Sequence, residues 1–211
     1  MKRIAIAVGV LVGMLVWAAA PMSQAQPGGG GCVLQGTAKF TPGLQGAPPG
    51  GNFKYSFTGK LTPCHSDPSQ TNSPSSGVVS AGAIIKVAGA KYQEPIPTGN
   101  GSCAYGTTKG TSLIVWNDKT QTVVSYTTES VTGGVLLNGT QNHFFATVVP
   151  SVKLKKVGGA GSYTFKTTRY KGAGGIGTLT FSPKPDPSAC QSSSGVKSAG
   201  ITGFVGIGSS S

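Results

Sequence analysis

The chain has 211 residues, with 17 Lys and Arg against 5 carboxylates for a formal net charge of +12. That length supports one domain, or two small similar halves, around a real hydrophobic core. Its 4 cysteines and 2 histidines are too scattered to form a zinc ligand set, so a structural zinc site is excluded.

In chain order, residues 1–25 read as a secretory signal peptide. Lys2 and Arg3 make a positive start, residues 4–20 are an unbroken apolar and small-residue run, and Ser23-Gln24-Ala25 supplies the small-x-small pattern that signal peptidases admit. Cleavage after Ala25 would leave 186 residues carrying a charge of +10, with Arg169 the only arginine among them. The apolar run is at the short end for a bilayer span, and no other stretch is long enough, so no transmembrane segment is expected after cleavage. The glycines before Cys32 do not form a lipid-attachment signal, and residues 26–31 read as a flexible stub ahead of a domain over 32–208.

Helix signals are nearly absent from that domain, which is rich in Gly, Thr, Ser and Val. Period-two alternation predicts strands over 33–40 and 53–57, where aromatics occupy one face and Lys54 and Ser56 the other. A further strand over 78–87 is bent at Gly82. Residues 112–116 and 122–127 flank the turn-forming Asn117-Asp118-Lys119-Thr120 and predict a hairpin. Strands over 135–137, 143–149, 162–168, 177–181 and 201–207 complete the series. The fold class is therefore all-β: an antiparallel β-sandwich, with a closed β-barrel as the alternative. Residues 41–52 and 65–76 read as surface loops.

An internal echo is present. Ser76-Gly77-Val78-Val79-Ser80-Ala81-Gly82 follows Cys64, and Ser194-Gly195-Val196-Lys197-Ser198-Ala199-Gly200 follows Cys190. It predicts two pseudo-repeated halves, 32–100 and 101–208. An even cysteine number in an exported chain predicts two disulfides. If the first two strands form a hairpin, Cys32 lies beside Cys64, and equivalence of the halves then pairs Cys103 with Cys190. The rival pairing is Cys64 with Cys103 and Cys32 with Cys190.

The motifs occur in a definite order. Cys32-x-x-x-Gly36-Thr37-Ala38-x-Phe40-x-Pro42-Gly43-Leu44 is followed by Phe57-Thr58-Gly59-x-Leu61-x-x-Cys64 and Gly101-Ser102-Cys103. Then come Gly110-Thr111-x-x-x-Val115-Trp116-x-Asp118, Thr180-Phe181-x-Pro183 and Cys190-x-x-x-x-Gly195-Val196-x-Ser198-Ala199. In this order the chain resembles the small, secreted, four-cysteine β proteins common in actinobacterial genomes. The resemblance spans nearly the whole chain after residue 25 and implies a β-sandwich-like fold outside the cell membrane. It implies no activity and no functional residue.

The material for catalysis is thin. Asp67, Glu94, Asp118, Glu129 and Asp186 are scattered one per loop or strand end, with no acidic cluster for Ca²⁺ and no adjacent pair for glycoside hydrolysis. His65-Ser66-Asp67 holds triad letters in a polar loop that cannot exclude water, and His143 reads as a packed or surface histidine. No nucleophile elbow, P-loop or dinucleotide fingerprint occurs. The expectation is a non-enzymatic protein without metal or cofactor. Positive charge is the remaining lead: Lys153, Lys155 and Lys156, followed by Lys166, Arg169 and Lys171, are the candidate anion-binding residues. Their expected partner is an anionic wall polymer or acidic polysaccharide, with no sequence-specific nucleic-acid binding. The alternatives are a sugar-binding module, which needs Trp116 exposed for stacking, and a hydrolase, which needs acids or a His–acid pair converging in a cleft.

Overall fold

The computed structural model describes residues 30–46, 50–66, 73–103, 105–130, 142–182 and 187–209. The expected signal peptide, the strand over 135–137, and Asp67 and Asp186 lie outside the described residues. So do most of the stub and the side chains of Glu129 and His143. The elements are β1 (Gly30–Leu44), β2 (Gly51–Ser66), β3 (Gly77–Ala81), β4 (Ile84–Val87), β5 (Ala90–Gln93), β6 (Thr98–Gly101), β7 (Gly106–Trp116) and β8 (Gln121–Ser130). They continue with β9 (Asn142–Val149), β10 (Ser151–Lys156), β11 (Ser162–Lys166), β12 (Ala173–Phe181), the five-residue α1 (Pro187–Gln191) and β13 (Val196–Ser209).

Alternation makes these strands two-faced, and the inward faces close on themselves. Cys32, Leu34, Ala38 and Phe40 of β1 are buried on one face of the strand. β1 pairs with β2 on one side and with β13 on the other, from Gly30↔Ile207 to Lys39↔Ser198. Each wall strand is the antiparallel neighbour of the next in the chain, in the ring β1, β2, β3, β7, β8, β9, β12, β13. The result is an eight-stranded up-and-down barrel. Closure rather than sandwich stacking satisfies the sheet edges, because the last strand returns to pair with the first.

One position of the ring is shared. β3 and β6 both lie between β2 and β7, end to end. Ala81 sits opposite Phe57, and a strand running on without a break would bring position 84 opposite Lys54; Thr98 stands there instead. The same substitution of Thr98 for position 84 holds opposite Lys109 on β7. Residues 84–97 therefore behave as a segment spliced into one wall strand. The chain leaves the wall at Gly82, whose φ of 66° lies in the left-handed region that glycine enters without steric penalty. The single bent strand expected over 78–87 is thus two strands in two different sheets.

The spliced segment forms β4 and β5, which join β10 and β11 in a second sheet of order β11-β10-β5-β4. This sheet lies on the outside of the barrel over β7 and β8. Leu113 and Val123 project outward from the wall and pack with Leu154 and Phe165, flanked by Ile85, Tyr92, Val152 and Tyr163. Leu154 and Val123 retain 0% exposure, and burial of each contributes about 1.5–3 kcal/mol. A two-layer sandwich thus exists locally, between the barrel wall and its outer sheet. Thr167 secures the attachment: its hydroxyl donates to the Val149 carbonyl and accepts from the Val123 N–H at 3.0 Å.

Two disulfides cross-link the ends of the barrel. Cys32 and Cys64 are directly opposite on β1 and β2, and Cys103, in the β6–β7 connection, bonds Cys190 of α1. This is the pairing that the hairpin argument favours. The two echo segments open β3 and β13, strands of 5 and 14 residues that occupy different surroundings in the ring.

Candidate functional site

The outer face of the second sheet gathers lysines from all four of its strands. On β10, Val152 and Leu154 turn toward the barrel, so Lys153 and Lys155 turn away from it. On β11, Tyr163 and Phe165 turn inward, leaving Ser162, Thr164 and Lys166 outward. The register sets Lys166 beside Ser151, Thr164 beside Lys153 and Ser162 beside Lys155. Lys155 is in turn opposite Gln93 of β5, where Tyr92 packs inward against Tyr163 at 5.5 Å between ring centroids. Lys91 therefore points outward, and Lys86 of β4 lies directly opposite it.

Lys86, Lys91, Lys153, Lys155 and Lys166 are all exposed on this one face. Its other outward residues are Ile84, Gln93, Ser151, Ser162 and Thr164, so no carboxylate interrupts it. Adjacent strands are about 4.8 Å apart and alternate residues along a strand about 6.8 Å apart, which sets the pitch of the charge array.

The six residues expected from sequence divide three ways. Lys153, Lys155 and Lys166 belong to the array. Lys156 is exposed at the end of β10, but it is opposite the inward-facing Tyr92 and so sits on the other side of the strand. Lys171 is exposed in the segment leading into β12 and belongs to none of the sheet's strands. Arg169 is engaged elsewhere: Nη2 lies 2.7 Å from Asp118, Nε donates to Thr120 at 3.0 Å, and the guanidinium stands over the Tyr170 ring. The Asp118 carboxyl is held below the usual carboxylate range, first by the Thr120 hydroxyl and then by the Thr120 N–H and Arg169. This ion pair ties the β7–β8 turn to the chain after β11. Sequence reasoning missed Lys86 and Lys91, because only the return of the spliced segment brings them beside Lys153 and Lys155.

The signals for other chemistries resolve differently. Trp116 is buried, donates from Nε1 to the Thr122 hydroxyl at 2.8 Å and meets the edge of Tyr170 at 5.6 Å. It is a core anchor, not an exposed stacking platform. Glu94 is 1% exposed; its carboxylate accepts from the Ser80 hydroxyl and, at 3.0 Å, from the Ala83 N–H. Burial pushes its carboxyl above the ordinary range against those two hydrogen bonds. It clasps the spliced segment to the wall and does not meet solvent. Among the described residues, no group of three or more His, Cys, Asp or Glu converges as a metal site would require. No helix among them is long and apolar enough to cross a membrane.

Fold and site together define a class: a disulfide-braced up-and-down barrel bearing a lysine-faced outer sheet. No family model, curated protein or solved structure matches the chain.

Proposed function

We propose that this is a non-enzymatic protein of the cell exterior that holds an acidic polysaccharide or wall polymer on the outer face of its second sheet. The observation that carries this reading is the array of five lysines with no carboxylate among them, including two that directly face each other. Like charges directly opposite in a ladder repel and cost stability. A polyanion laid across them turns that repulsion into attraction, and its released counterions add a favourable, salt-sensitive term. Two disulfides within one small domain suit an oxidising compartment, which supports an exported location.

The test is retention on isolated cell wall at low and high salt. Wild-type protein should be retained at low salt and released by high salt. A variant carrying Lys86→Gln, Lys91→Gln, Lys153→Gln, Lys155→Gln and Lys166→Gln should be lost at both. A second variant lacking residues 84–97 joins Ala83 to Thr98 in the existing wall register and should lose part of the retention. Retention that ignores salt, or that survives the five substitutions, contradicts the proposal.

A further inference from the structure

An eight-stranded barrel is just wide enough for its side chains to fill it, or to hold one small ligand. Here three of the large inward rings are drawn against glycines of the wall. The Phe57 ring covers Gly36 and Gly59, Phe53 covers Gly99, and Trp116 covers Gly77. A Cβ added at those glycines would meet ring atoms at 2.5, 2.8, 2.2 and 2.9 Å, respectively. Ala146 of β9 stands beside Gly175 of β12, its partner in the ladder, so this stretch of the wall carries only small side chains. The space left is a cavity of about 180 Å³, walled by Leu34, Leu61, Ile114, Val124, Leu179 and Val205.

One stretch of the bore is polar without being charged. The Tyr55 and Tyr126 hydroxyls are 2.7 Å apart, Tyr55 donates to Thr108 at 3.1 Å, and the Thr108 and Thr128 hydroxyls are 2.7 Å apart. Burial pushes both phenols above their ordinary range, so they stay protonated at neutral pH. Among the described residues along the lining, His65, exposed at the rim beside Cys64, is the only side chain that can carry positive charge. A charged guest would be buried without a counter-ion, at a cost that a neutral guest avoids. An apolar protein cavity of about 150 Å³ stays dry and takes up benzene, which sets the size of guest this bore admits.

We propose that the barrel interior binds one small, neutral, largely apolar molecule, of the size of a single aromatic ring with a short substituent. The probes are toluene, p-cresol and 4-methylbenzoate at pH 7, read by methyl NMR and thermal melting. Toluene and p-cresol should raise the melting temperature and give saturable shifts at Leu61, Val124, Leu179 and Val205, while 4-methylbenzoate gives neither. Ala146→Leu grows into the void and should weaken both neutral probes at least tenfold, with the melting temperature held or raised. If Ala146→Leu does not fold, Val205→Phe is read in its place for the same tenfold loss. The proposal is overturned if neither neutral probe saturates the wild-type protein, if the filled variant binds as well as wild type, or if 4-methylbenzoate binds equally.

Discussion

Lys86 and Lys91 stand directly opposite each other on β4 and β5, both exposed, on the face shared with Lys153, Lys155 and Lys166. The pair opposes folding, and polymer binding would relieve it. Lys91→Glu converts the repulsion into an attraction, and an opposite-charge cross-strand pair contributes about 0.2–1 kcal/mol. The expected outcome is a small rise in unfolding free energy together with weaker retention on anionic polymer. Urea melts and binding assays on the same preparation check it; a variant that is both less stable and equally well retained would contradict the reading.

Glu94 makes stability depend on pH in an unusual direction for a carboxylate. Its folded-state pKa is raised, so the folded chain holds this proton more tightly than the unfolded chain does. The associated stability is fully present below the ordinary carboxylate pKa and is lost as pH rises through the raised value. Glu94→Gln keeps an acceptor for the Ala83 N–H and cannot ionise. Across that window, unfolding free energy should fall more steeply with rising pH in wild type than in Glu94→Gln. Identical pH profiles would show that the Glu94 proton is not linked to folding.

Leu154 is the knob that fastens the second sheet. It is fully buried between the outer sheet and the wall residues Leu113 and Val123. Leu154→Ala should cost about 2–5 kcal/mol, and the loss should be local. Hydrogen exchange should quicken in β4, β5, β10 and β11, while β1, β2, β12 and β13 keep their protection. Uniform acceleration through both sheets would show that sheet and barrel unfold as one unit.

The two disulfides should differ in worth. Their sequence separations are 32 and 87 residues, and loss of either costs about 2–5 kcal/mol. Loop closure alone makes the Cys103–Cys190 link the more stabilising by ~0.9 kcal/mol. Denaturant melts of Cys32→Ala with Cys64→Ala, set against Cys103→Ala with Cys190→Ala, test the ordering. Greater destabilisation from the first pair would show that strain or residual structure outweighs chain entropy.

Much of the wall was legible in the residues because inward and outward faces alternate visibly. Phe53, Tyr55 and Phe57 mark β2, and Asn117 to Thr120 mark the turn between β7 and β8. Gly82 was legible as a bend, since glycine there signals a left-handed backbone. Closure was less legible, because alternation is the same in a sandwich and a barrel; only the pairing of β13 with β1 distinguishes them. β6 was hidden because Thr98-Gly99-Asn100-Gly101 has no apolar alternation, and takes its place from its neighbours. The lysine array was half legible: Lys153 and Lys155 share a face by spacing alone, but Lys86 and Lys91 join them through topology. Arg169 looked like part of the patch by proximity, yet Asp118, distant in sequence, claims it.

The salt dependence of binding to purified acidic wall polymer tests the central claim most directly. If the five-lysine face carries the interaction, log K should fall linearly with log salt for the wild-type protein. The slope should flatten progressively as Lys86, Lys91, Lys153, Lys155 and Lys166 are replaced by Gln, with melting temperature held. An unchanged slope in the fivefold variant, with the barrel still folded, would place the binding elsewhere on the molecule and contradict the account.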